Sequence, residues 1–242
     1  MLPMILQTMF AGRDGKVRIY AKKIRNKDTP VEERQNMAYW LAEDGKPDAI
    51  LAMLGRFEMT YEHGMKDVDE KEIVENLVLE LGEDAVEPLA TFLRRCHMFA
   101  RPMGLYERLA GPERARALIL ELLQVEYEKS ELKPKKKKDL LIRLADFKGE
   151  DVIASAVRFL DDFDEGCRYG AVEVLLAQEE VPEIRDPLIA MLADPDEESG
   201  RLQHRIAEGA AARAWDLGEH AKAIGDRPPT NFKVVGRKLV SG

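Results

Sequence analysis

Apolar residues return along this chain at the spacing of a helix face. Val152, Ile153, Ala156, Val157 and Leu160 fall at i, i+1, i+4, i+5 and i+8, one stripe of an amphipathic helix. Asp161-Asp162-Phe163-Asp164 interrupts the stripe, and Asp164 is placed to cap the helix that follows. That helix carries Cys167, Ala171, Val174 and Leu175 on one side, with Arg168, Glu173 and Gln178 elsewhere. Pro182 then opens a third helix, where its missing N–H costs nothing, and Pro195 follows its end. Pro187 falls a few residues in, either still in the first turn or at a modest kink. A fourth helix over 205–218 is dense in Ala and Gly, small residues that let helix axes approach closely.

The same phrase recurs upstream. Amphipathic stretches end in Leu plus a small residue at Leu41-Ala42, Leu81-Gly82, Leu109-Ala110, Leu144-Ala145, Leu176-Ala177 and Leu217-Gly218, roughly 28 to 41 residues apart. A period in that range marks helix pairs stacked so that neighbours share a core. The pattern predicts pairs over 16–25 with 30–42, 47–57 with 69–81, 83–95 with 103–110, and 112–128 with 134–147. Thr29 is placed as the N-cap of the second of these helices, with Pro30 at its first position. The two C-terminal pairs bring the total to six. After Gly225-Asp226-Arg227-Pro228-Pro229, a linker composition, Phe232 to Val240 reads as a short strand or extended arm. This tail, 226–242, is locally basic; a frayed end and a docking segment both fit it.

Phe159-Leu160-Asp161-Asp162 followed by Cys167-Arg168-Tyr169-Gly170-Ala171-Val172-Glu173-Val174-Leu175 resembles the HEAT-repeat family. So does Met191-Leu192-Ala193-Asp194-Pro195-Asp196. In that family a first helix ends in Leu-x-Asp, and a second helix begins near an Arg and continues rich in Ala and Leu. The match is good over about 149–218 and looser elsewhere. The resemblance implies an all-α fold, an α-solenoid of about six antiparallel helix pairs over 1–225, whose second helices line a concave, partner-holding face.

Composition narrows the function classes. Charged residues are 34% of the 242, an excess that suits a repeat protein with much surface per residue. The net charge of −8 argues against generic nucleic-acid binding, which leans on Lys and Arg neutralising phosphates. Cys96 and Cys167 share no metal-ligand spacing and make no disulfide framework, which fits a reducing, cytoplasmic setting. The apolar opening Met1 to Phe10 lacks a basic leader and is about half a bilayer span, so it reads as an arm on the first repeat. No membrane association is expected.

Candidate chemistry is sparse. A HEAT-like hydroxylase family binds di-iron through repeated His-Glu pairs. The two dipeptides here, Glu62-His63 and Glu219-His220, run in the opposite order, and no metal or cofactor is expected. No phosphate-binding loop, nucleophile elbow or Cys-His pair with useful spacing is present, so no catalytic residue is assigned. The run Lys135, Lys136, Lys137 and Lys138 is a candidate basic patch for phosphate or an acidic partner, although a helix start disfavours cations. Tyr39, Trp40, Tyr106 and Trp215 lie near second-helix ends, as inter-repeat packing or as interface anchors. The expectation is a non-enzymatic protein-interaction scaffold whose partner contacts are Arg34, Tyr39, Arg168, Glu173, Glu208 and Arg213. A HEAT-like enzyme or lyase on the concave face, and nucleic-acid binding through the lysine run and basic tail, stand as alternatives.

Overall fold

The computed structural model describes residues 12–60, 64–129 and 134–242. The expected N-terminal arm and the Glu62-His63 dipeptide lie outside the described residues. The fold is mostly helical and divides into two compact units, Met1–Leu118 and Ile119–Gly242. Among the described residues no helix is long and apolar enough to cross a membrane.

In the first unit α1 (Arg13–Lys23), α2 (Val31–Asp44), α3 (Pro47–Leu54), α4 (Gly64–Leu81), α5 (Val86–Arg95) and α6 (Ala100–Ala110) follow one another. A 3₁₀ turn (Gly55–Glu58) extends α3, and another (Gly82–Ala85) leads into α5. Helices two apart in sequence pack together: α1 on α3 and α3 on α5, α2 on α4 and α4 on α6. Between these layers Ile50, Met53, Leu54, Val78, Leu89 and Leu93 are fully buried. The helix α7 (Pro112–Tyr127) contains the division between the units.

The second unit repeats the scheme with α8 (Lys135–Leu144), α9 (Glu150–Val157), α10 (Glu165–Ala177), α11 (Pro182–Ala193), α12 (Gly200–Ala212) and the short α13 (Ala221–Asp226). Here α8 packs on α10 and α10 on α12, while α9 packs on α11 and α11 on α13. The small residues of α12 have a steric reason. A Cβ on Gly209 would lie 2.5 Å from Leu176 Cδ2, so only glycine lets α12 seat on α10 without a shift.

Five of the six Leu-small endings fall at or within two residues of a helix end, whereas Leu217-Gly218 lies beyond the end of α12. Leu41, Leu144, Leu176 and Leu217 are buried, and the left-handed Gly45 (φ 64°) and Gly82 (φ 59°) turn the chain out of α2 and α4. Asp164 caps α10 as expected, accepting from the Cys167 amide at 3.0 Å. Elsewhere the boundaries differ. Pro30, not Thr29, occupies the N-cap of α2, and the Thr29 carbonyl is taken by a guanidinium instead. The fourth C-terminal helix runs over Gly200–Ala212 and is capped by Ser199, so Trp215 lies beyond it in a turn. Pro187 sits inside α11 rather than in its first turn.

The tail folds back as an antiparallel hairpin, β1 (Phe232–Val235) and β2 (Lys238–Ser241), turned at Gly236 (φ 65°). Phe232, Val234 and Leu239 share one face, and Leu239 is buried as β2 packs on α12. The Leu217 amide donates to the Arg237 carbonyl at 2.8 Å, and His204 meets the Phe232 ring edge-on at 5.4 Å.

Candidate interaction surfaces

Three turns between a first and a second helix are closed by the same device. Near the start of the second helix a cation turns back onto carbonyls of its own turn and also reaches an acid of the next pair. On α2 the Arg34 guanidinium donates to the carbonyls of Thr29, Asn26 (3.3 Å) and Lys27 (3.4 Å), and to both oxygens of Glu70 on α4 (2.6 and 2.8 Å). On α8 the Lys137 ammonium donates to the Lys129 carbonyl (3.4 Å) and to Asp162 (2.7 Å) in the α9–α10 turn. On α10 Arg168 donates to the carbonyls of Asp162 (3.0 Å) and Phe163 (3.3 Å), and with two nitrogens to Glu197 (3.1 Å each) in the α11–α12 turn. The chemistry follows from the turn. Carbonyls in a turn between helices lack intrahelical donors, and a nearby cation supplies them. Its remaining donors need an anion, and the next pair supplies one as a charge-assisted bond.

Around Arg34 the clip widens into a buried charged cluster. Arg56 donates to Glu70 (3.0 Å), to Asp67 (2.8 Å) and to the Met59 carbonyl (3.0 Å), and Lys71 donates to Asp67 (2.6 Å). Arg34, Arg56, Asp67, Glu70 and Lys71 are all buried. Burial opposes the charge on Glu70, but hydrogen bonds from Arg34 and Arg56 outweigh it and hold the carboxyl below its usual range. The same balance, with Lys71 and Arg56 as donors, lowers Asp67.

These contacts relocate several expected partner residues. Arg34, expected on an accessible face, has a side chain only 1% exposed and binds α2 to α4. Arg168 is likewise turned into its turn. Arg213 donates to the Leu176 carbonyl (2.5 Å) and stands over the Trp215 ring at 5.5 Å. The lysine run is not an open patch either. Lys136 and Lys137 are buried; Lys136 lies 3.9 Å from Glu126, Lys137 pairs with Asp162, and Lys138 lies 3.4 Å from Asp164. The acids of neighbouring turns draw these side chains inward, which offsets their unfavourable place at a helix start.

Tyr39, Glu173 and Glu208 remain on accessible second-helix surfaces. Tyr39 on α2 is half exposed, whereas Trp40 packs edge-on against Tyr20 at 5.2 Å with the Lys16 ammonium 4.0 Å above its ring. Tyr106 and Trp215 are buried, as inter-helix packing. In the second unit the α10–α12 surface is cross-linked: Glu173 binds Arg205 (2.5 and 3.2 Å), Arg201 stacks on Tyr169 (3.7 Å), and Glu208 lies 3.4 Å from His204 and 3.7 Å from Arg205. Ile142 on α8 stands exposed.

The Glu219-His220 dipeptide sits on a 3₁₀ turn (Gly218–His220), and among the described residues no group of three or more His, Cys, Asp or Glu could hold a metal ion. Cys167 is buried, and burial with Asp162 and Asp164 nearby pushes its thiol up to about 12. Comparison with protein-family models, with curated proteins and with solved structures gives no match.

Proposed function

We propose that this chain is a HEAT-like α-solenoid of six helix pairs that works as a non-enzymatic scaffold, holding a protein partner on the surface of its second helices. The observation that carries the reading is the packing of helices two apart in both units, α2 on α4 on α6 and α8 on α10 on α12. Stacked pairs bury the apolar stripe of each helix against the next pair and leave one face of every second helix outward. The cation clips of Arg34, Lys137 and Arg168 support it, because each fastens one pair to its successor. In the first unit Tyr39 offers an exposed anchor on a second helix; in the second unit Ile142 offers another, and Glu173–Arg205 and Arg201–Tyr169 give polar contacts.

The test is affinity purification from the native host with the wild-type chain and with a Tyr39→Glu/Glu173→Arg/Glu208→Arg variant, both checked for helicity by circular dichroism. A partner retained reproducibly by the wild type and lost by the folded variant supports the reading. Equal recovery by both chains places binding elsewhere.

A further inference from the structure

A groove of about 780 Å³ opens in the second unit between the end of α9 and α11. Its floor is apolar, made of Val157, Leu160, Pro187, Ala190 and Met191. Its rim is acidic: Asp161 and Asp162 on one side, Asp194, Asp196 and Glu197 on the other. Two of these carboxylates are neutralised from within, Asp162 by Lys137 and Glu197 by Arg168. Asp161, Asp194 and Asp196 have no cation within ion-pair distance among the described residues, and Arg168 and His220 also line the groove. In the turn that supplies Asp161 and Asp162, Phe163 projects with 88% of its surface exposed.

An isolated phenylalanine so exposed contributes nothing to the helix packing described above. Phe163 is not part of the groove's lining, but it follows the rim residue Asp162 directly in the chain. The floor favours apolar side chains, and three uncompensated carboxylates favour cations between them. We propose that this groove is a docking site for a basic segment of a partner protein, with apolar side chains on the floor and Lys or Arg on the rim. The site lies at the turns rather than on the second-helix surface, so it does not rest on the scaffold face proposed above. Charge complementarity selects the occupant, since an acidic or neutral segment gains no rim contact and an acidic one is repelled.

The probe is a fluorescent synthetic peptide alternating lysine and leucine, titrated against the full chain by anisotropy. Comparison peptides alternate lysine with serine and glutamate with leucine. Saturable binding of the lysine–leucine peptide is expected, with affinity about tenfold lower for lysine–serine, which lacks the apolar contacts, and no binding of glutamate–leucine. An Asp161→Asn/Asp194→Asn/Asp196→Asn chain is expected to lose about tenfold or more. A Glu179→Gln/Glu180→Gln/Glu183→Gln chain removes equal charge outside the groove and should bind as the wild type does, as should Tyr39→Glu. An equal loss in the Glu179/Glu180/Glu183 chain means attraction to net charge alone and overturns the proposal. So does equal binding of lysine–serine, or the absence of saturation. Self-association of the chain that is abolished by Lys233→Glu/Lys238→Glu in the basic hairpin also overturns it, by making a second copy the occupant.

Discussion

Arg34 on α2 and Glu70 on α4 face each other through two parallel hydrogen bonds of 2.6 and 2.8 Å, with both side chains buried. The two residues are 36 apart in sequence, so a single buried ion pair ties α2 to α4. Glu70 also receives Arg56, which makes it the acceptor for two guanidinium groups. Removing its charge takes one buried carboxylate from two guanidinium groups at once, Arg56 keeping its bond to Asp67. Glu70→Gln is expected to cost about 3 kcal/mol at neutral pH, read as a lower denaturant midpoint.

The same site sets an acid limit. Glu70 and Asp67 are held below their ordinary values in the folded chain, so the unfolded state binds protons first as pH falls. The stabilisation is therefore complete above about pH 5 and is lost progressively below about pH 4. Denaturant titrations at pH 7 and pH 3 should show the Glu70→Gln penalty shrinking at the lower pH. A penalty of constant size would contradict the electrostatic origin of the contact.

For the Lys137–Asp162 clip a double-mutant cycle is informative. Asp162→Ala leaves the buried Lys137 ammonium with the Lys129 carbonyl but without its carboxylate and is expected to cost about 2–4 kcal/mol. Lys137→Met removes the charge while keeping most of the stem, so Lys137→Met/Asp162→Ala should recover a large part of that loss. Additive penalties would show that the two side chains act independently.

Two helical glycines should respond in opposite directions to alanine. A Cβ at Gly209 meets Leu176 at 2.5 Å, so Gly209→Ala forces α12 from α10 and is expected to cost about 1–3 kcal/mol. Gly104, inside α6, has nothing within 4 Å of the same position. Gly104→Ala should stabilise by about 0.5–1 kcal/mol through the unfolded chain. Chemical denaturation of both variants decides the matter.

Cys96 and Cys167 should be silent to thiol reagents in the folded chain. Both are buried, and the Cys167 thiol is pushed up to about 12, so it carries almost no thiolate at pH 8. Titration with a chromogenic disulfide is expected to find no fast thiol in the native protein and two in denaturant. A fast-reacting thiol in the native chain would show local opening at one of these helices.

The helices were legible because their apolar stripes keep the helical period and because Pro and Gly sit at their ends. All six expected pairs correspond to helices, from α1 with α2 to α11 with α12. The charged side chains were not legible in the same way. In α4, Lys66 to Glu75 mixes acids, lysines and apolar residues so densely that Asp67, Glu70 and Lys71 look like ordinary solvated surface. What buries them is the arrival of Arg34 and Arg56 from other elements, which no local pattern carries. The lysine run misled for the same reason, since its partners Glu126, Asp162 and Asp164 are remote from it in sequence or across a turn. A usable signal did exist: a cation a few residues into a helix, with an acid 25, 29 or 36 residues further on. The hairpin was half legible, because its apolar alternation announced a strand but not the turn at Gly236 that pairs it with another.

The central claim is that second-helix surfaces hold a protein partner, and photo-crosslinking from defined positions tests it most directly. A photoreactive amino acid is introduced singly at Tyr39 and Ile142, exposed on second helices, and at Lys22 and Glu183, exposed on first helices. The account predicts the same partner crosslinked from Tyr39 or Ile142 in the native host and absent from Lys22 and Glu183. Crosslinks confined to Lys22 and Glu183, or none from any of the four positions, would contradict it.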